Sequence, residues 1–137
     1  MPPDPFLVPE TRAWLAKSAE DLRAADHGFT AVPPLVADIT FHCQQCVEKA
    51  MKGLLTWHGK PFRKTHSLEE IGELCAAIDP NLEPLVDRVA PLTAYVWKYR
   101  YPGEPDTPDL DEAQAALALA REVNSAILAR LPEAVQP

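Results

Sequence analysis

Three observations predict an all-α protein, an up-and-down bundle of four to five helices. Apolar or small residues recur three and four apart through several long stretches, the period of a helix with one buried face. No stretch shows the apolar/polar alternation of a strand, and proline or glycine falls between the periodic stretches as helix breakers do. At 137 residues with 47% hydrophobic content, the chain is expected to form one domain over residues 1–137 around a single core.

Residues 1–9 hold four prolines and read as an irregular arm. Pro9, Glu10 and Thr11 open the first helix, which faces Leu15, Ala19, Leu22 and Ala25 inward and ends at Gly28, a residue that accepts a left-handed cap. Pro33 and Pro34 mark the turn into the next helix. That helix, residues 36–57, is the central rod, about 30 Å long. Its stripe is Ile39, Cys43, Cys46, Val47, Ala50, Leu54 and Trp57, while His42, Gln45, Glu48, Lys49 and Lys52 fall largely off it. Glu48 precedes Lys52 by four residues, the favourable order for a helical ion pair.

The rod gives out near His58 and Gly59, and residues 60–66 form a short basic loop. Ser67-Leu68-Glu69-Glu70 reads as a capping box, in which serine and glutamate each satisfy a free amide of the other. The third helix follows with Leu68, Ile71, Leu74, Cys75 and Ile78, ending at Asp79-Pro80. The fourth carries Leu82, Leu85, Val86, Val89, Leu92 and Val96, with Pro91 inside it to kink or split it. Residues 99–108 are a proline- and acid-rich connection. The last helix opens at Thr107-Pro108 or Asp109 and repeats Leu110, Ala113, Leu117, Ala120, Asn124, Ile127 and Leu131, a seam broken only by Asn124.

No apolar run approaches 18 residues, and the first residues lack the basic and apolar regions of a signal peptide, so a cytoplasmic protein without membrane association is expected. Three cysteines, two on one helix, argue against a disulfide framework. The net charge of −7 argues against a general nucleic-acid coat. Its distribution is uneven. Residues 42–68 hold Lys49, Lys52, Lys60, Arg63 and Lys64 against Glu48, net +4; residues 103–137 hold seven acids against Arg121 and Arg130, net −5.

Short connections favour antiparallel neighbours. On that rule residues 60–66 and 99–103 lie at one end of the bundle, where Lys60, Arg63, Lys64, His66, Lys98 and Arg100 converge with Tyr99 and Tyr101. Arg63 and His66 have the composition of a phosphate-handling or acid–base group; the plain alternative is a solvated loop leading into the cap at Ser67. Lys49 and Lys52 either extend an anion site or form an exposed face. Tyr99-Arg100-Tyr101-Pro102 suits stacking on a base or docking a partner, or else closes the end of the bundle. Trp14, Trp57 and Trp97 are assigned to the core or a subunit interface. Cys43 and Cys46, with His42 nearby, have the spacing of half a metal site. No second pair completes one, and both continue the apolar stripe, where a free cysteine packs as a small hydrophobe. No cofactor is indicated.

Taken together, Trp14, Asp21-Leu22 with Ala25, the run Cys43-Gln44-Gln45-Cys46-Val47-Glu48-Lys49-Ala50-Met51-Lys52-Gly53-Leu54-Leu55, then Thr65-His66-Ser67-Leu68 and Arg100-Tyr101-Pro102 resemble the HEPN domain family. The resemblance covers almost the whole chain in order. It implies a bundle of four or five helices, commonly a homodimer, often encoded beside a minimal nucleotidyltransferase in a pair that resembles a toxin–antitoxin module. Several branches are ribonucleases that use Arg, four to six residues, then His. Here Arg63 and His66 are three apart, and nothing after Arg88 or Arg100 supplies a histidine, so that activity is not carried over. The expectation is a non-catalytic HEPN protein binding a nucleotide or other phosphate-bearing ligand and partnering a minimal nucleotidyltransferase. Lys49, Lys52, Arg63, Lys64 and Arg100 would hold phosphate, Tyr99 and Tyr101 would stack, and His66 would orient the ligand. The alternatives are a metal-independent RNA-cleaving toxin, with His66 and Arg63 or Arg100 as catalytic candidates, and a structural adaptor without ligand.

Overall fold

The rod is α2, Val36–Trp57. Its stripe residues Ile39, Cys43, Cys46, Val47, Ala50 and Leu54 are fully buried, and the other elements pack around them. The computed structural model describes residues 4, 6–103 and 107–137, and Glu104 and Asp106 of the acidic connection lie outside them. Among the described residues there are five α-helices and no strand: α1 Leu7–Gly28, α2, α3 Leu68–Ile78, α4 Glu83–Val89 and α5 Leu110–Leu128, with short 3-10 turns between and after them. The fold is therefore the all-α bundle that the periodicity predicts.

α1 lies along α2 and begins at Leu7, so residues 7–9 belong to the helix rather than to the arm. Gly28 closes α1 for a reason other than a left-handed cap. A Cβ there would stand 2.6 Å from Ile39 Cγ1, so glycine is required by the close approach of α2. A left-handed glycine stands instead at Gly59 (φ +63°), just past the end of α2. Packed on both α2 and α1, α5 buries Ala113, Ala116, Leu117, Ala120, Val123 and Ile127, with Asp109 capping its first turn by accepting from the Glu112 amide at 2.7 Å. Asn124, the break in that seam, is nearly buried. Its Nδ2 donates to Ser18 Oγ (3.1 Å), and Ser18 Oγ donates to the Cys46 carbonyl (2.7 Å). One polar thread thus ties α5, α1 and α2 together.

The predicted fourth helix is split, as Pro91 requires. α4 ends at Val89 and a 3-10 stretch, Ala90–Val96, follows. Tyr95 from that stretch donates to Glu112 of α5 at 2.6 Å; burial and the neighbouring carboxylate push its phenol well above the usual range. The cap of α3 differs from a reciprocal box. Ser67 Oγ accepts from the Glu70 amide, but the Glu70 carboxylate is bound by Arg63, and the Ser67 amide donates to Thr65 Oγ1 instead.

Candidate functional site

The residues between α2 and α3 set the geometry of the site. Gly59 turns the chain back, and residues 60–66 return alongside α2 instead of staying at its end. Phe62 meets Trp14 of α1 edge-on, with ring centroids 6.1 Å apart, and both rings lie within 6 Å of Lys52 Nζ. Further along, the His66 carbonyl accepts from Gln44 Nε2 at 3.1 Å. The loop therefore roofs a polar row, Gln44-Glu48-Lys52, spaced one helical turn apart. Glu48 and Lys52 are only 3% and 6% exposed, which corrects their placement on an open face.

Glu48 is the centre of this row. Its Oε2 accepts from Lys52 Nζ at 3.1 Å, while Oε1 accepts from Gln44 Nε2 at 3.2 Å and pairs with His66 Nδ1 at 2.8 Å. As a carboxylate Glu48 can only accept, so Nδ1 carries the proton and donates. That fixes the tautomer and leaves Nε2 on the outer edge of a ring whose side chain is 59% exposed. A buried carboxylate paired with an imidazole in this way fixes the direction of the ring.

The other flank of α2 carries a second such pair. Asp21 of α1, almost buried, accepts from Lys49 Nζ at 2.7 Å and meets His42 Nδ1 at 2.8 Å. Gln45 stands between the flanks, its Nε2 donating to Gln44 Oε1 at 2.7 Å. At the start of α2, Arg100 donates to Asp38 (3.0 Å) and lies 4.0 Å over the Phe41 ring.

These positions redraw the predicted cluster. Residues 60–66 and Arg100 do not meet at one end of the bundle: Lys60 follows the last turn of α2, whereas Arg100 sits on its first. The antiparallel rule fails here because the loop doubles back along α2 and the 3-10 stretch carries the chain past α3's start, where Thr93 Oγ1 accepts from the Leu68 amide. His66 and Arg100 are held along the same helix but apart from each other, the His66 ring at Glu48 and the Arg100 guanidinium at Asp38 and Phe41, with about 10 Å of helical rise between Phe41 and Glu48. Of the other predicted site residues, Arg63 is turned outward onto Glu70, three contacts between 2.7 and 2.9 Å. Lys64 is exposed. Lys52 is enclosed by Glu48, Trp14 and Phe62, and Lys49 is on the His42 flank. Tyr99 stacks on Tyr95 (centroids 6.2 Å apart) with positive φ of 67°, while Tyr101 is 68% exposed and Trp97 54%.

Sequence reasoning missed Glu48, Gln44, Asp21, Asp38 and His42 as site residues. The available signal was the spacing 44, 48, 52: three polar residues in one row directly beside the apolar stripe. Cys43 and Cys46 are fully buried, and burial pushes their thiols up to about 12 and about 11, as in core packing. Among the described residues no helix is long and apolar enough to cross a membrane.

The fold and the site define a helical-bundle protein whose central helix carries a buried carboxylate bearing an outward histidine. The profile of the HEPN domain matches residues 11–130, and the chain belongs to the HEPN domain family. Searches against curated proteins and against solved structures give no significant match.

Proposed function

We propose that this HEPN protein binds a nucleotide or similar phosphate-bearing ligand on the outer face of α2, without cleaving it, as the partner of a minimal nucleotidyltransferase in a toxin–antitoxin-like pair. The observation that carries the ligand reading is the Glu48–His66 pair, which holds an imidazole at a fixed angle with its second nitrogen outward. Such a ring donates to a phosphate oxygen once protonated. Arg100, nearer the start of α2, adds a guanidinium of fixed direction, and Tyr101 adds an exposed ring suited to stacking. The nucleotidyltransferase partner and a homodimer rest on family membership alone. Calorimetry with ATP tests the ligand reading. Binding that His66→Ala and Arg100→Ala both weaken supports it, and absence of heat at millimolar ATP leaves the adaptor.

A second reading, an RNA-cleaving toxin, draws on the same pair, because a carboxylate-oriented histidine also has the geometry of a general base. Purified protein that cleaves RNA, and loses the activity on His66→Ala, would replace the first reading with this one.

A further inference from the structure

Six large apolar side chains are exposed among the described residues, and five of them, Val32, Leu35, Trp97, Tyr101 and Leu110, belong to the end of the bundle where α2 and α5 begin. Three contacts gather them there. Arg100 reaches Asp38 in the first turn of α2, which sets residues 97–101 against the start of that helix. Tyr95 donates to Glu112 in the first turn of α5, which brings Leu110 to the same segment. Phe29, just past α1, shares a groove with Gln114 and Leu117 of α5. The sixth side chain, Phe6, precedes α1 at the other end.

Single apolar side chains on a surface need no explanation, but a cluster of this size with polar groups around it marks an interaction surface. Tryptophan and tyrosine are the side chains on which binding energy concentrates. Val32 is 97% exposed, so no described residue covers it.

The surrounding charges say what does. Asp38, Asp109, Asp111 and Glu112 stand against Lys98 and Arg100, four acids to two bases, net −2. Asp26 and Arg121 pair with each other nearby. Both bases are engaged, Arg100 on Asp38 and Phe41 and Lys98 4.9 Å over the Tyr99 ring. Asp109 and Asp111 are exposed and form no ion pair among the described residues. A second copy seated symmetrically on the same patch brings two acidic rims together, which works against association. An anionic membrane surface meets the same repulsion. The complementary occupant is a protein segment with apolar side chains on one face and lysine or arginine beside them, docked as amphipathic helices dock on apolar surfaces.

We propose that the end of the bundle carrying Leu35, Trp97 and Leu110 docks a basic amphipathic helix of a partner protein. Leu35 is separated from Glu48 by about 20 Å of helical rise, and the proposal does not depend on the ligand reading.

The test is calorimetry of the full chain with two synthetic probes. One is a helical peptide of about 18 residues with leucines on one face and lysines on the other; its counterpart has glutamate at every lysine. The proteins are wild type, Leu35→Ser/Trp97→Ser, Asp111→Lys and Phe6→Ser. Each replaced side chain is exposed, so all should melt near the wild-type temperature. The expected result is one lysine peptide per chain, bound about tenfold more tightly than the glutamate peptide. The double variant lowers that affinity about tenfold and Asp111→Lys about threefold, while Phe6→Ser leaves it unchanged. Lysine-peptide binding that survives the double variant overturns the proposal, as do equal binding of the two peptides and wild type that binds neither. Sedimentation velocity and phosphatidylcholine vesicles, with and without phosphatidylglycerol, address the rival occupants. A dimer that the double variant dissolves assigns the patch to a second copy. A blue shift of tryptophan emission on vesicles, lost in the double variant, assigns it to lipid. Either result overturns the basic helix.

Discussion

Glu48 and His66, eighteen residues apart, meet at 2.8 Å across the gap between α2 and the loop that returns beside it. The pairing places an ionisable group at the surface and fixes it from inside the protein. It also explains why the loop lies where it does: Gln44 binds the backbone of His66 while Glu48 binds its ring.

Glu48 should therefore be the most sensitive charged position in the chain. Glu48→Gln leaves the Lys52 ammonium, 7% exposed, without its carboxylate and weakens the hold on His66. Removing one member of a buried ion pair typically costs about 3–5 kcal/mol, whereas replacing both with well-packed apolar groups is often neutral. Urea unfolding should show Glu48→Gln destabilised by about 3 kcal/mol and Glu48→Leu/Lys52→Met restored to near wild type. Equal losses in the single and double variants would mean that the row contributes through packing rather than charge.

Gly28 and Gly59 give a paired test of two different uses of glycine. Alanine is the better helix former by about 1 kcal/mol, so propensity alone predicts that Gly28→Ala stabilises. Against that stands Ile39 Cγ1, 2.6 Å from the new methyl, an overpacking that costs about 1–3 kcal/mol. The net expectation is destabilisation by about 1 kcal/mol. At Gly59 nothing lies within 4 Å of an added Cβ, and the cost of alanine is the left-handed backbone alone, about 1–2 kcal/mol. Ile39→Ala, which removes Cγ1, should abolish the added cost of Gly28→Ala measured in that background and leave the cost of Gly59→Ala unchanged, read by thermal unfolding.

The fold was legible because periodicity reports which side of a helix is buried, and the long helices follow it closely. Pro91 split the fourth element as its missing amide demands, and Ser67 and Asp109 capped the helices they precede. The site was less legible because burial of a polar row depends on what folds over it. Residues 44, 48 and 52 become interior only when residues 60–66 double back, and the signal for that is a single left-handed Gly59. Likewise nothing local says that Glu70 binds Arg63 in preference to the Ser67 amide. Both partners are in reach, and the charged bond is the stronger of the two.

Arg63→Ala separates composition from geometry. Arg63 belongs to the basic stretch, but its guanidinium is committed to Glu70 on an exposed surface, where it holds that carboxyl below the usual range. Exposed pairs of this kind contribute little to stability. The melting temperature and the ATP affinity of Arg63→Ala should match wild type, while His66→Ala loses affinity. A parallel loss in both variants, measured by calorimetry in the same buffer, would return Arg63 to the ligand site.

Thiol chemistry supplies a prediction with a defined pH window. Cys43, Cys46 and Cys75 are all buried, and desolvation pushes them up to about 12, 11 and 12 from an ordinary value of 9.0. Because the thiolate is the reactive form, a disulfide reagent such as dithionitrobenzoate at pH 8 should find no thiol in the folded protein and three after denaturation. The sign of the stability effect follows from the direction of the shifts. The unfolded chain loses these protons first, so their contribution is intact below pH 9 and falls away as pH rises from 9 towards 12. Each thiol adds a slope of about 1.4 kcal/mol per pH unit within that window. Replacing Cys75, the thiol of α3, with alanine should flatten the alkaline limb of the stability curve while lowering its plateau. An unchanged limb would show that other groups govern alkaline unfolding.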